Sequence, residues 1–470
     1  MTTTPATTTT TLSPERIAQL KQDNGQYLWH PMAHPAAMKK TAPDIIARGE
    51  GCWIWDVDGH RLLDGVGGLW SSNLGHSNRV VRDAIVAQLD ELPFYNVFRG
   101  TTHPRAIELS ARLVRMMQPD GVAAVLFSNG GSDAVEGALK LARQYWKLQG
   151  QGDRSKFIAL RQGYHGVHFG GMSVNGNLNF RRAYEPLLPG CFHIDTPWIY
   201  HNPYFKDEQD AEELGRLCAE LLEREIVFQG PDTVAAFIAE PVQGAGGVIV
   251  PPASYWPAIR AVCDKYGVLL IADEVVTGFG RTGAMFGTRL WGVNADLWCL
   301  AKGISSGYVP LGATAISAKV AEVFNADVTG AASVGHGYTY SAHPVGAAAA
   351  LASLDQIELL DVPGNAARVG AHLQQRLRGL LGRVSFVGDV RGVGLMAGIE
   401  MVADQSTRTP MPRSSDIPAR VARAAYERGL MVRISGPNLI LSPPLVITRE
   451  EVDFLCDALE AAFLAVDAQR

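Results

Sequence analysis

Lys302 closes a short apolar run, Leu297-Trp298-Cys299-Leu300-Ala301, and is followed at once by Gly303. Such a run reads as a buried strand, where an ammonium is costly unless it is paired or put to use. One use open to a desolvated lysine is nucleophilic. It gives up its proton readily and can form a Schiff base with a carbonyl. Taken alone, a lysine capping a strand at the surface is the plainer reading.

Three other places carry comparable signals. Ser128-Asn129-Gly130-Gly131-Ser132 lies between a strand-like run and a helix start. Its backbone N–H groups, with the positive end of the helix dipole, would bind a phosphate. The same residues would serve as an ordinary turn with Ser132 or Asp133 as the N-cap. Asp273 follows the apolar run 268–272, and a buried carboxylate needs a cation. A protonated ring nitrogen would supply one, and so would an ion pair with Arg281. Tyr164-His165-Gly166 follows the run 157–160, placing an aromatic ring where it would stack on a flat heterocycle or simply pack.

The elements that must position these residues alternate. Strands are predicted over 123–127, 157–160, 234–239, 268–272 and 297–301, with helices over 133–147, 257–265 and 345–358. The first helix places Val135, Ala138, Leu139, Ala142, Tyr145 and Trp146 on one face. This pattern predicts an α/β domain with a mostly parallel sheet. In such open sheets the ligand sits beyond the carboxyl ends of the strands. The strand ends here carry the Ser-Asn-Gly-Gly-Ser turn, Glu240, Asp273-Glu274 and Lys302, and together they predict one site. Beyond about residue 350 a helix-rich stretch, short strands over 430–441 and a final helix over 449–466 predict a smaller α+β domain. Gly392-Val393-Gly394 lacks the third glycine and helix of a dinucleotide fingerprint, and no repeat of solenoid period occurs.

Composition sets the outer bounds. The chain has 470 residues, 47% hydrophobic and 19% charged, with a net charge of −5. That is an ordinary soluble globular protein with no charge argument for nucleic acid or an anionic membrane. The six cysteines are scattered, which predicts free thiols in a reducing compartment. His165 and His168 are close, but nothing completes a ligand set around them, so no metal is expected. Residues 1–12 are rich in threonine, without the basic and apolar regions of a secretory signal, and are expected to form a disordered tail. No apolar run is long enough to span a membrane. The expected compartment is the cytoplasm.

Taken in order, the motifs resemble a class III aminotransferase. They are Ser-Asn-Gly-Gly-Ser-Asp from Ser128, Tyr164-His165-Gly166, Glu240-Pro241-Val242-Gln243-Gly244-Ala245-Gly246-Gly247, Asp273 with Lys302, and His336-Gly337-Tyr338-Thr339-Tyr340-Ser341-Ala342-His343-Pro344. The resemblance runs from about residue 13 to 466. It implies the fold type I of enzymes that use pyridoxal 5′-phosphate (PLP), with a large domain over 76–345 and a small domain formed by both chain ends, 13–75 and 346–470. Leu69-Trp70 and Leu92-Pro93-Phe94-Tyr95-Asn96 look most like the ω-amino acid or amine:pyruvate branch, β-alanine:pyruvate enzymes included.

The resemblance implies roles for individual residues. Lys302 holds PLP as a Schiff base and shuttles the proton, while Asp273 pairs with the pyridine nitrogen and keeps the ring an electron sink. Val275 and Tyr164 cover its two faces. His165 and Glu240 belong to the same binding set, and Gly131 and Ser132 bind the phosphate. Tyr338 and Thr339 match a segment that reaches the phosphate of a neighbouring subunit, implying a homodimer with a shared site, a tetramer being left open. Arg433 matches an arginine that clamps a substrate carboxylate and swings aside for an amine. Its plainer reading is a surface arginine. Trp70, Phe98 and Met32 are expected in the larger substrate pocket, or else in the core. Two features depart from the family's pattern. Gly-Ser-Asp stands where Gly-Ser-Glu is usual, and Ala245 stands where relatives acting on ornithine or γ-aminobutyrate carry a glutamate.

The expected function is PLP-dependent transfer of an amino group from an ω-amino acid or amine to pyruvate. A taurine, diamine or diaminopelargonate-type aminotransferase is the alternative within the class. A non-catalytic α/β nucleotide-binding module is the alternative outside it.

Overall fold

The computed structural model describes residues 12–205 and 210–470. All but the last residue of the threonine-rich 1–12 segment lies outside the described residues.

Among the described residues seven strands form the central sheet, in the order Val122–Ser128, Gly312–Ser317, Leu297–Leu300, Leu269–Asp273, Val234–Ala239, Lys156–Leu160, Cys191–Ile194. Only Gly312–Ser317 runs against its neighbours; the remaining pairs are parallel. Every residue of Val234–Ala239 is buried, as expected of a continuous apolar run covered on both faces. Cys191–Ile194 is a short edge strand on Lys156–Leu160.

Helix Gly131–Leu148 buries the expected face, from Val135 to Trp146, against this sheet. Trp146 Nε1 donates to Ala235 O at 2.9 Å, fixing the helix to a central strand. The helix begins two residues earlier than its apolar pattern, at Gly131, because its first turn faces a cavity and needs no apolar side chains.

Both chain ends build the smaller sheets. Ile46–Glu50, Trp53–Asp56 and Arg61–Asp64 form an antiparallel meander, and Leu430–Met431 pairs in parallel with Arg61–Asp64. A second sheet joins Val387–Val393, Met396–Asp404, Asn438–Leu441 and Arg433–Ser435. The last helix, Arg449–Asp467, starts with a capping box between Thr448 and Glu451, which satisfies two otherwise orphaned N–H groups. Glu451 Oε1 also accepts from Trp53 Nε1 at 2.9 Å, linking the two ends. Helix Pro344–Leu359 packs against Arg79–Glu91 and Pro104–Met116. Among the described residues no helix is long and apolar enough to cross a membrane.

Candidate active site

The carboxyl ends of the strands open onto a cavity of about 330 Å³. Twelve of the residues singled out from the sequence line it: Met32, Trp70, Gly131, Ser132, Tyr164, His165, Glu240, Ala245, Asp273, Val275, Lys302 and Arg433. The sheet brings most of them together, since the segments bearing them leave adjacent strands on one side.

Phe98, Tyr338 and Thr339 are not among them. Phe98 and Tyr338 line a separate cavity of about 710 Å³ with Arg99 and His336, and Thr339 lines neither. Within one chain, therefore, Phe98 does not join Trp70 and Met32 in the substrate pocket. Its turn closes on itself, with Phe98 N–H donating to Asn96 Oδ1 at 3.0 Å and the Thr101 hydroxyl to Asn96 O at 3.1 Å. That geometry leaves the ring 51% exposed.

Lys302 is half-buried, and it opens a tight 3₁₀ turn, Lys302–Ser305, with φ +47°. A non-glycine residue in this region is strained and is held by its surroundings. A Cβ at Gly303 would lie 2.3 Å from Asn73 Nδ2, so the turn admits only glycine there. Burial lowers the ammonium pKa to about 8, although Asp273 and Glu240 pull it the other way.

Asp273 ends its strand with both oxygens engaged. Oδ2 lies 2.8 Å from His165 Nδ1, and Oδ1 accepts Val275 N–H at 3.1 Å. Arg281, the alternative partner for this carboxylate, turns elsewhere. Fully buried, it donates to Leu395 O at 2.9 Å, Pro443 O at 2.5 Å and Asn73 Oδ1 at 3.2 Å. It fastens the loop after Asp273 to the C-terminal sheet region and leaves the aspartate to the cavity. Glu274 accepts from Thr277 Oγ1 and from the N–H groups of Gly287 and Thr288, and so shapes the same loop from beneath. Glu240 spans the cavity wall, taking Tyr164 N–H at 2.9 Å and Gly244 N–H at 2.8 Å. Burial raises its carboxyl to about 7.

The helix start is built for an anion. Gly130, not Ser132 or Asp133, is the N-cap, in fully extended backbone and with no side-chain cap. Asp133 Oδ2 instead accepts Asn129 N–H at 2.9 Å, and Ser132 Oγ accepts Val167 N–H at 3.2 Å. The first-turn N–H groups at Gly131 and Ser132 are thus left for a ligand at the positive end of the helix dipole. The chain packs too closely here for a further side chain. A Cβ at Gly131 would meet Val275 Cγ1 at 2.8 Å, and one at Gly166 would meet Ser132 Oγ at 2.5 Å. An uncapped helix start, a carboxylate oriented by histidine and a half-buried lysine with a lowered pKa fit a phosphorylated, nitrogen-containing aromatic aldehyde.

The far side of the cavity differs in character. Arg433 is half-buried on strand Arg433–Ser435, and its side chain makes no hydrogen bond or ion pair among the described residues. Trp70 is 4% exposed and packs with Val242, Val248, Met396 and Ile440; its backbone has φ +62°. Met32 stands at the mouth, 68% exposed. Sequence reasoning missed Phe180, whose ring meets that of Tyr164 at 4.9 Å. It is a lone aromatic in an asparagine-rich stretch and carried no periodic signal.

Residues 36–463 match the family model described as aminotransferase class-III. The crystal structure of an amine transaminase from an uncultivated Pseudomonas species, in its PLP-bound form, is 52% identical with a TM-score of 0.92, covering 94% of this chain and 99% of that one. The adenosylmethionine-8-amino-7-oxononanoate aminotransferase of Geobacter sulfurreducens is 38% identical, over 96% of this chain and 99% of its own length. The putrescine–pyruvate aminotransferase of Pseudomonas aeruginosa is 39% identical, over 87% of this chain and 88% of its own.

Proposed function

The chain belongs to the class III aminotransferases, which use PLP, and we propose that this member moves the amino group of an ω-amino acid or amine to pyruvate. The products are L-alanine and an aldehyde or ketone. One observation carries the reading: the Arg433 side chain lines the cavity without an acidic partner among the described residues, and Ala245 puts only a methyl group on the same lining. A free guanidinium is a bidentate site for a small carboxylate such as that of pyruvate.

The residue roles follow from position and chemistry. Gly131 and Ser132 hold the phosphate through their N–H groups. Asp273, oriented by His165, presents its charge to the ring nitrogen, with Val275 and Tyr164 flanking the ring and Glu240 bracing Tyr164. Bound PLP supplies the electron sink that lets a proton leave the carbon bearing the nitrogen. Lys302 anchors the cofactor and takes and returns that proton from Nζ, which suits a lysine whose pKa lies near working pH. Donor and acceptor use the one site in turn, so the kinetics are ping-pong.

The functional unit is a homodimer in this reading, with Phe98, Tyr338 and Thr339 serving the neighbouring site. Trp29 (76% exposed), Phe98 and Tyr340 give one chain large apolar side chains that a second copy would cover. The small domain comprises 13–75 and 346–470, a grouping supported by the pairing of Arg61–Asp64 with Leu430–Met431. The six unpaired cysteines support a reducing, cytoplasmic setting. Diamines and diaminopelargonate-type chemistry are the rival specificities, as the names of two relatives indicate. A donor panel with pyruvate, read as alanine formed, decides. Alanine from β-alanine or 1-phenylethylamine is expected, and alanine from none of the panel would overturn the acceptor.

A further inference from the structure

A second cavity, of about 650 Å³, lies against the first. Phe180 and Ala245 line both, so their side chains form the common wall. Three chain segments run from one cavity to the other. Tyr164 faces the first, and Arg161 and Gln162 the second. Ala245 leads into Gly246, which lines the second alone, and on strand Arg433–Ser435 the arginine lines the first and the serine the second. The wall is thin. Ala245 contributes one methyl group, and Phe180 sits on a four-residue helix, Leu178–Arg181, with its ring edge-on to Tyr164.

The two carboxylates at the second cavity are already matched, and Arg413, exposed, adds a cation to its lining. Asp195 is taken by Arg161 and by the Tyr204 hydroxyl. Glu400, fully buried, is held by His201 and by Arg391 Nη1 at 2.8 Å. Much of what remains is apolar surface from Leu178, Phe180, Trp198 and Pro437.

We propose that this second cavity takes the distal part of a long, unbranched primary-amine donor, whose amino end lies at Lys302 and whose chain passes between Phe180 and Ala245. The inference rests on the transaminase reading above and names its donor class. The nearer cavity, about 330 Å³, must hold the cofactor together with the reacting end of the donor. That leaves space for a short chain only. Methylenes beyond it gain by entering apolar surface instead of water.

The test is a chain-length series with pyruvate as acceptor: unbranched 1-aminoalkanes from butyl to decyl, the matching α,ω-diamines and the matching ω-amino acids. In at least one series kcat/KM is expected to rise by up to about fourfold per added methylene, the factor equivalent to about 0.8 kcal/mol per buried CH₂. Asn179→Trp fills the second cavity from an exposed position that does not line the first. It should cut kcat/KM for octyl donors about tenfold through KM, and leave that for β-alanine within about twofold. Leu178→Trp fills the same space independently, should one variant fail to fold. A flat length series, or equal losses for short and long donors, overturns the distal site. Transfer from short donors without length dependence would leave the transaminase reading intact; transfer from no amine at all would overturn that reading instead.

Discussion

Asp273 Oδ2 lies 2.8 Å from His165 Nδ1, although 108 positions separate the two residues. Because Oδ1 is held by Val275 N–H, the carboxylate cannot turn without losing one of the two contacts. His165 is itself fixed, its backbone N–H donating to Asn175 Oδ1. The aspartate is thus aimed before any ligand arrives.

Removing the aiming contact should loosen the cofactor without unfolding the chain. His165→Leu is expected to raise the dissociation constant for PLP tenfold or more, on the scale of about 1.5–3 kcal/mol for a hydrogen bond to a charged group. Equilibrium dialysis followed by absorbance measures this. Unchanged retention would show that Asp273 needs no orienting partner.

Lys302 should reveal itself through pH. Its pKa of about 8 means that free base accumulates through pH 8, not above 10. Covalent uptake of PLP by the apoenzyme should therefore rise with a midpoint near 8. Glu240→Gln removes a charge that favours the ammonium and should move the midpoint down. Borohydride should fix the cofactor to the wild type and not to Lys302→Ala, whose alanine production should fall about 10³-fold or more. The sign for stability follows. Between about pH 8 and a lysine's ordinary value of 10.5, the unfolded chain binds this proton and the folded one does not. Apoprotein stability therefore gains from this group as pH rises across that window.

Arg433→Ala should separate substrates by charge. KM for pyruvate and β-alanine is expected to rise at least tenfold, while that for 1-phenylethylamine stays within about twofold, since a charged hydrogen-bonding pair contributes about 1.5–3 kcal/mol. Steady-state kinetics on the three substrates checks it. Equal effects would remove the carboxylate clamp.

Arg281 predicts a stability effect. Its guanidinium is the donor to three acceptors drawn from residues 73, 395 and 443, and Arg281→Met leaves those buried oxygens without it. A loss on the order of 3 kcal/mol is expected, measurable by urea unfolding of the holoenzyme. A loss below about 1 kcal/mol would mean that the loop holds without the clamp.

The legible parts of this chain were those written in neighbouring residues. The run 234–239 is buried along its whole length, and helix Arg449–Asp467 starts within a residue of expectation because Thr448 and Glu451 supply a local capping signal. Lys302, Asp273 and the glycine turn were found because each breaks an apolar pattern at a strand end. What sequence reading lacked was long-range pairing. An ion pair with Arg281 stands in the sequence as the alternative partner of the nearby Asp273, whereas the guanidinium's partners lie 114, 162 and 208 positions away. Ser132 and Asp133 have side chains suited to capping, but packing against Val167 and Asn129 takes both. Phe180 matters through a tertiary contact that no periodicity announces.

The single antiparallel strand of the central sheet acts as a gauge. Gly312–Ser317 lies between Val122–Ser128 and Leu297–Leu300, pairing Gly312 with Ser128 and Ala313 with Leu300. The phosphate cradle and the lysine turn therefore emerge level with each other, two strand spacings apart, about 9.5 Å. A one-residue slip of that strand would turn its side chains over yet leave this lateral gap unchanged. Only gaining or losing a strand would reset it, so loops around the cavity can vary in length and sequence while the two anchors keep their separation.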